Sequence, residues 1–411
     1  MQKLLILGSG FAAMSLVKHI DLRAYDVTVL SPRNHFLFSP LLPSTTVGTI
    51  EFRSIIEPVR RIRKGIHYLQ ARAVALSKAT QTVTAQYVNA PDTFDVQYDK
   101  LVIAVGAVNN TFGIEGAAEY ALFLRELSDA RAIRQKILDN FEQASLPSVV
   151  ASERKRLLHT VVVGGGPTGV EFAAELSDFL SRELKAVFPH IIGDARITLL
   201  EAGNQILSTF DAKLRSYTMK VFARQNVEVR TNSFVRKVTP RSVVLASGEE
   251  LCYGLLVWLT GNAPSPFVLQ LPFEHSRTGA ILTDGYLRVK GETNIFAAGD
   301  CATIEDDPQP ATAQVAQQEG IYLAKLLNAM AKLHTTAPPL RRFKRINFGM
   351  LAYIGDNRAV ADLPQTKSGG FATWLFWRSA YLTKLVSLKN KMQVLFDWLK
   401  TSLFGRDVSR F

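Results

Sequence analysis

The chain has 411 residues, 47% of them hydrophobic and 20% charged, a globular composition long enough for two or three domains with sizeable cores. It has two cysteines, Cys252 and Cys301, and no Cys-x-x-Cys pair, which excludes a thioredoxin-type dithiol and a cysteine-based zinc site and suits a reducing compartment. A formal net charge of +12 calls for an acidic partner, and the lack of zinc-finger, RNA-recognition or basic-zipper patterns argues against nucleic acid.

Met1 leads within two residues into the strand Lys3–Leu7, so no signal or transit peptide is expected. No run of about 18 apolar residues offers a bilayer-spanning helix. The first strand ends in Gly8-Ser9-Gly10-Phe11-Ala12-Ala13, followed by a helix over 11–20 and a second parallel strand, Asp26–Leu30. In this layout the first glycine makes the tight turn, the second lets the backbone approach a pyrophosphate, and the third position lets helix and strand pack closely. Residues 71–99 alternate polar and apolar, as in Ala73-Val74-Ala75-Leu76, and read as an antiparallel excursion. A buried strand from Lys100 ends on Gly106, a helix is expected over 119–142, and 145–158 reads as a polar connector.

The pattern then restarts. The strand Thr160–Val163 ends in Gly164-Gly165-Gly166-Pro167-Thr168-Gly169, a second copy of the same loop, followed by a helix over 168–187. The strand Arg196–Leu200, a helix over 211–224, the strand Val227–Arg230, a β-rich stretch over 234–246 and an apolar strand over 255–260 before Gly261 continue the series. After Pro272, the run Thr293–Asp300 and a helix over 311–333 read as a return to the first domain. The fold class is therefore α/β, with two Rossmann-like dinucleotide-binding domains, one inserted in the other. A single glycine loop is weak evidence, but two argue for two nucleotides and for electron transfer between them.

An acidic residue ending the second strand of such a unit binds a ribose diol and repels a 2′-phosphate. In the second unit that residue is Glu201, which predicts NADH over NADPH; an exposed strand end is the plainer alternative. In the first unit the position is Ser31, in Ser31-Pro32-Arg33-Asn34, a departure from the acidic fingerprint. The apolar strand ending Gly299-Asp300 resembles the second FAD motif of the two-dinucleotide-binding flavoprotein reductases, and Val105-Gly106-Ala107 resembles their other short motif. The resemblance implies FAD on the first loop; a plain helix cap at Asp300 is the lesser alternative.

Gln314 and Gln318 share one face of the following helix, and their amides suit a quinone carbonyl or hydroxyl, though any helix can carry this spacing. Nearly the whole chain resembles the type II NADH:quinone oxidoreductases. The resemblance includes the run 314–318, the strings 34–44, 51–58, 164–172 and 258–262, and the tail strings 374–384 and 404–411. It implies non-covalent FAD, NADH as donor, ubiquinone or menaquinone as acceptor, and no proton pumping. It extends the FAD set, Gly8 to Ala13, Ser31, Gly106, Gly299 and Asp300, to Arg33, Asn34 and Val74. The NADH set becomes Gly164 to Gly169, Glu171, Glu201, Gly261 and Asn262. Glu171, Gln314 and Gln318 are the candidate catalytic residues, with Glu171 matching a family glutamate near nicotinamide and flavin. No metal site is expected, since the calcium-binding loop of some members is missing.

A quinone tail lives in lipid, and the last forty residues supply two apolar helical stripes. One is Trp374, Trp377, Tyr381 and Leu385, flanked by Arg378 and Lys384; the other is Met392, Leu395, Phe396, Leu399 and Leu403. Residues 371–411 hold seven basic and two acidic side chains, a net of +5. This describes a monotopic amphipathic anchor on a bilayer surface, while a core or homodimer face is the alternative. The expected domains are 1–155 and 276–338 for FAD, 156–275 for NADH, and 339–411 for membrane association. The expected location is the bacterial cytoplasmic membrane or the mitochondrial inner membrane. A sulfide:quinone oxidoreductase needs reactive cysteines that Cys252 and Cys301 do not provide, and a redox sensor of the apoptosis-inducing-factor type would lack fast quinone turnover.

Overall fold

The computed structural model describes residues 1–409, so Arg410 and Phe411 of the last tail string lie outside the described residues. Seven helices of nine residues or more occur among them: α1 (Phe11–His19), α2 (Leu127–Ala144), α3 (Pro167–Phe179), α4 (Ala212–Arg224), α5 (Ala313–Leu333), α6 (Phe371–Lys384) and α7 (Leu388–Phe404). The chain divides into two compact units. The first comprises 1–37, 56–108 and 262–346; the second comprises 38–55, 109–261 and 347–411.

The first unit is built on a five-stranded parallel sheet, ordered Ile295–Ala297, Lys100–Ile103, Gln2–Leu7, Tyr25–Leu30, His67–Leu69. Runs such as Leu4-Leu5-Ile6-Leu7 are buried throughout, as parallel strands covered on both faces must be. The strands Ala71–Ser77, Thr82–Tyr87 and Thr93–Gln97 form the antiparallel excursion, with a bulge at Val74. Helix α5 lies so close to α1 that a Cβ on Gly320 would sit 2.1 Å from the Ala12 carbonyl oxygen.

The second unit repeats the plan, in the order Leu122–Phe123, Leu255–Trp258, His159–Val163, Arg196–Leu200, Val227–Arg230. Helix α3 is buried on every side from Gly169 to Phe179, then continues as a π-turn over Leu180–Leu184, so the helix expected over 168–187 is not one regular α-helix. The connector expected over 145–158 contains the helix Ala151–Leu157, and α2 starts at Leu127, eight residues later than expected. An antiparallel meander, Met350–Gly355, Arg358–Asp362, Lys367–Gly370, lies in the stretch expected only as a membrane-association region. From 347 onward the C-terminal segment falls in the same unit as 109–261, because the meander packs on α3 and α6 packs on the meander.

Candidate functional site

In the first unit, the loop after the first strand takes the shape its glycines require. Gly8 has φ +112°, and a Cβ there would lie 2.2 Å from the Ala104 carbonyl oxygen. Gly10 has nothing within 4 Å of its Cβ position, so the space a side chain would fill is free at the N-terminus of α1. Such a cradle of backbone N–H groups fits a pyrophosphate, and Ala13 is small enough for the buried third position.

Ser9 and Ser31 lie side by side in the interior, Oγ to Oγ 3.0 Å. The Ser9 hydroxyl lies 3.2 Å from the Arg33 carbonyl oxygen, and Arg33 Nε donates to the His35 carbonyl at 3.1 Å. The Asn34 amide oxygen meets His35 Nδ1 at 2.9 Å. His35, absent from the expected set, is pushed down to about 4 by burial and by the neighbouring Arg33 charge. Its ring is therefore neutral at pH 7, and its buried Nε2 has no partner among the described residues. An orphan acceptor in the loop after the second strand fits a donor-bearing group such as a nucleoside. The only signal in the sequence was its place beside Asn34.

At the carboxyl ends of the two strands on the other side of Gln2–Leu7, Gly106 and Gly299 adopt left-handed φ of +70° and +75°, and Asp300 follows Gly299. The Gly299 N–H donates at 2.6 Å to Glu319 of α5. Burial, with the Asp300 charge nearby, pushes Glu319 up to about 7. Glu319 follows Gln318 directly and was absent from the expected set, because nothing in its spacing marks it as buried. Gln318 holds the backbone of Ile346 with both ends of its amide: Oε1 accepts the N–H at 2.8 Å and Nε2 donates to the carbonyl at 3.0 Å. It anchors the segment ending this unit. Gln314 stands one turn earlier on α5, partly exposed. Cys301 is wholly buried, and that burial pushes its thiol up to about 12, far from a reactive thiolate.

The second unit carries the matching loop. Gly164 has φ +116°, and a Cβ on Gly169 would lie 1.9 Å from the Gly164 carbonyl oxygen, while Gly166 faces free space. Pro167 and Thr168 are exposed in the first turn of α3. Glu201 lies beside this loop: one oxygen accepts the Gly165 N–H at 2.7 Å and the other the Gly203 N–H at 2.6 Å. Gly261 is left-handed at φ +77° against the Asn110 carbonyl. Asn262 opens the third segment of the first unit, so the division separates it from the rest of the expected NADH set.

Helix α3 holds three acidic side chains inside the second unit, Glu171, Glu175 and Asp178, at i, i+4 and i+7 on one face. Glu171 accepts from the Tyr353 N–H at 3.2 Å and the Trp377 indole N–H at 3.3 Å, and burial pushes it up to about 8. Glu175 accepts from the Ser44 and Thr49 hydroxyls, both at 2.7 Å, and pairs with Arg406 at 3.3 Å. Asp178 accepts the Tyr353 hydroxyl and the Asp356 N–H. Arg406 also pairs with Glu183 at 3.0 Å. Only Glu171 was expected here; its partners come from more than 180 positions away and leave no local signature. The three candidate catalytic residues divide between the units, Glu171 in the second and Gln314 and Gln318 in the first.

The two C-terminal stripes part company. Trp374, Trp377 and Leu385 are buried, and Arg378 stacks over Trp374 at 3.9 Å and Trp398 at 4.7 Å. The first stripe is thus core, which corrects its expected role at a bilayer; α6 instead exposes Phe371, Leu375 and Phe376. Met392, Leu395, Phe396, Leu399 and Leu403 of α7 are exposed as expected, Phe396 by 64%. No described helix is long and apolar enough to cross a membrane.

Residues 2–320 match the family model described as pyridine nucleotide-disulphide oxidoreductase, and 348–407 match the NDH2 C-terminal domain. The chain is 47% identical to a probable NADH dehydrogenase of Dictyostelium discoideum, covering 100% of this chain and 91% of the relative. It is 43% identical to the mitochondrial internal alternative NAD(P)H-ubiquinone oxidoreductase A1 of Arabidopsis thaliana, covering 99% and 85%. Its fold is similar to NDH2 of Plasmodium falciparum solved in complex with NADH, with TM-score 0.94, 30% identity and 99% of each chain covered.

Proposed function

The chain belongs to the type II NADH:quinone oxidoreductases, and from that premise we propose how its own residues carry the reaction on a membrane surface. FAD, when bound, takes a hydride from NADH and delivers two electrons to quinone. The observation that carries the reading is the pair of glycine loops, each with its second glycine facing free space at a helix N-terminus. In the first unit, Gly8 to Ala13 hold the FAD pyrophosphate, with Ser31, Arg33, Asn34 and Val74 around the adenosine half and Gly106, Gly299 and Asp300 around the flavin half. Glu319 fixes the Gly299 backbone beside Asp300. In the second unit, Gly164 to Gly169 hold the NADH pyrophosphate. Glu201 turns from its two backbone donors to the ribose diol, which favours NADH over NADPH.

Glu171, protonated near neutral pH, holds the proton that quinone reduction consumes in this reading, and Gln314 orients the quinone. Gln318 acts as a positioning residue through Ile346. No proton is pumped in this scheme. The exposed face of α7, with its basic surroundings, lies on the bilayer, and the name of the Arabidopsis relative favours a mitochondrial membrane. A second copy on the same face is the competing occupant.

The test is turnover of the flavin-loaded protein with NADH or NADPH and a short-chain quinone. NADH should bleach the flavin absorbance and quinone restore it; no NADH-dependent quinone reduction would overturn the reading. For the membrane, Leu395→Glu with Leu399→Glu should abolish co-sedimentation with vesicles and leave soluble-quinone turnover intact. Vesicle binding that survives the pair would remove α7 from the anchor.

A further inference from the structure

A groove of about 700 Å³ opens in the second unit between the turn Glu51–Ser54, α2 and α7. Its charges are unequal in their freedom. Glu51 is paired with Lys400 at 2.6 Å, and Asp397 accepts the Glu51 N–H at 3.0 Å. Arg53 and Arg131 are both exposed and have no acidic partner among the described residues; Arg131 rests its guanidinium over the Phe52 ring, 5.4 Å from the centroid. Two cations thus face the groove with both carboxylates already satisfied. The opposite wall is apolar: Met392 and Phe396 are 60% and 64% exposed. That wall continues along the exposed stripe of α7, a helix of 17 residues and so roughly 25 Å long.

We propose that this groove is a binding site for one anionic phospholipid, its phosphate held by Arg53 and Arg131 and its acyl chains running over Met392 and Phe396. The proposal rests on the membrane reading above and adds a defined ligand to it. Charge complementarity decides the headgroup: two guanidinium forks take phosphate oxygens in two-point contacts, and a headgroup without an ammonium of its own brings no like charge beside them. A soluble anion would use the arginines but leave the apolar wall in water. A lipid at a bilayer surface satisfies both, and the length of the α7 stripe suits a helix lying in the interface.

The test uses the full-length, flavin-loaded enzyme and vesicles of phosphatidylcholine with or without phosphatidylglycerol. Each arginine near an anionic leaflet is worth about fivefold in binding, so Arg53→Gln with Arg131→Gln should weaken binding to the anionic vesicles roughly 25-fold and leave binding to neutral vesicles unchanged. Lys213→Gln with Lys220→Gln, an equal charge loss on α4, should leave both nearly unchanged. Equal losses for the two pairs would reduce the effect to diffuse electrostatics and overturn the site. Wild-type binding that ignores phosphatidylglycerol would overturn the site alone, whereas failure to bind any vesicle would overturn the membrane reading. Calorimetry with dihexanoyl phosphatidylglycerol should give one site per chain that inorganic phosphate at matched ionic strength does not displace; displacement would assign the arginines to a soluble anion instead. Flavin content and melting temperature show that the variants are folded.

Discussion

Replacing Glu171 by Gln should change the pH dependence of stability before it changes anything else. The carboxyl is buried on α3, and its value rises from 4.5 to about 8 because burial disfavours the charge more than the Tyr353 and Trp377 N–H groups favour it. A carboxyl whose value is raised on folding binds its proton more tightly in the folded state. Its contribution is therefore fully present below pH 4.5 and is lost as pH rises to about 8. At about 1.4 kcal/mol per pH unit, the loss is about 3 kcal/mol by pH 7 and about 5 kcal/mol by pH 9. Glutamine keeps an oxygen for both N–H donors and has no proton to lose. The variant should match the wild type near pH 4.5 and melt higher at pH 7, by about 4 °C for a chain of 411 residues. Melting curves of the flavin-loaded proteins from pH 5 to 9 decide the matter. Parallel pH profiles for the two proteins would refute a protonated, buried Glu171 and with it the proton-holding role.

Three further outcomes are expected. Gly8→Ala should fail to give folded protein, because its Cβ meets the Ala104 carbonyl at 2.2 Å; Gly10→Val should fold with normal circular dichroism but lose most of its flavin, and full flavin content would remove the first loop as the pyrophosphate cradle. Glu201→Arg should shift the NADH-to-NADPH ratio of kcat/KM at least about tenfold toward NADPH by exchanging a repelled phosphate for a paired one; an unchanged ratio would take Glu201 out of the ribose site. Arg406→Met leaves the buried Glu175 without its cation and should cost about 3–5 kcal/mol in denaturant unfolding; an unmoved midpoint would show that the cluster carries no net stability.

What could be read from the sequence was the part written in short-range patterns. Gly8 and Gly164 announce themselves because only glycine fits their left-handed turns against a carbonyl oxygen. The strands at 2–7 and 159–163 do so through the unbroken apolar runs 4–7 and 161–163, which a doubly covered sheet accepts. Glu201 was visible because the role proposed for it depends on one position, the end of a strand. The C-terminal stripes were equally visible, but periodicity says only that a face is apolar. Burial of Trp374 and Trp377 against the meander, and exposure of Met392 and Phe396 on α7, were decided by which partner each face met. The acidic row on α3 was hidden for a related reason. Glu171, Glu175 and Asp178 look like solvated helix residues until Tyr353, Trp377 and Arg406 arrive from the far end of the chain. Local sequence thus determined the two glycine loops and the helix N-termini behind them. The tertiary structure decided which charges lie buried, since desolvation and pairing depend on neighbours that sequence spacing does not bring together.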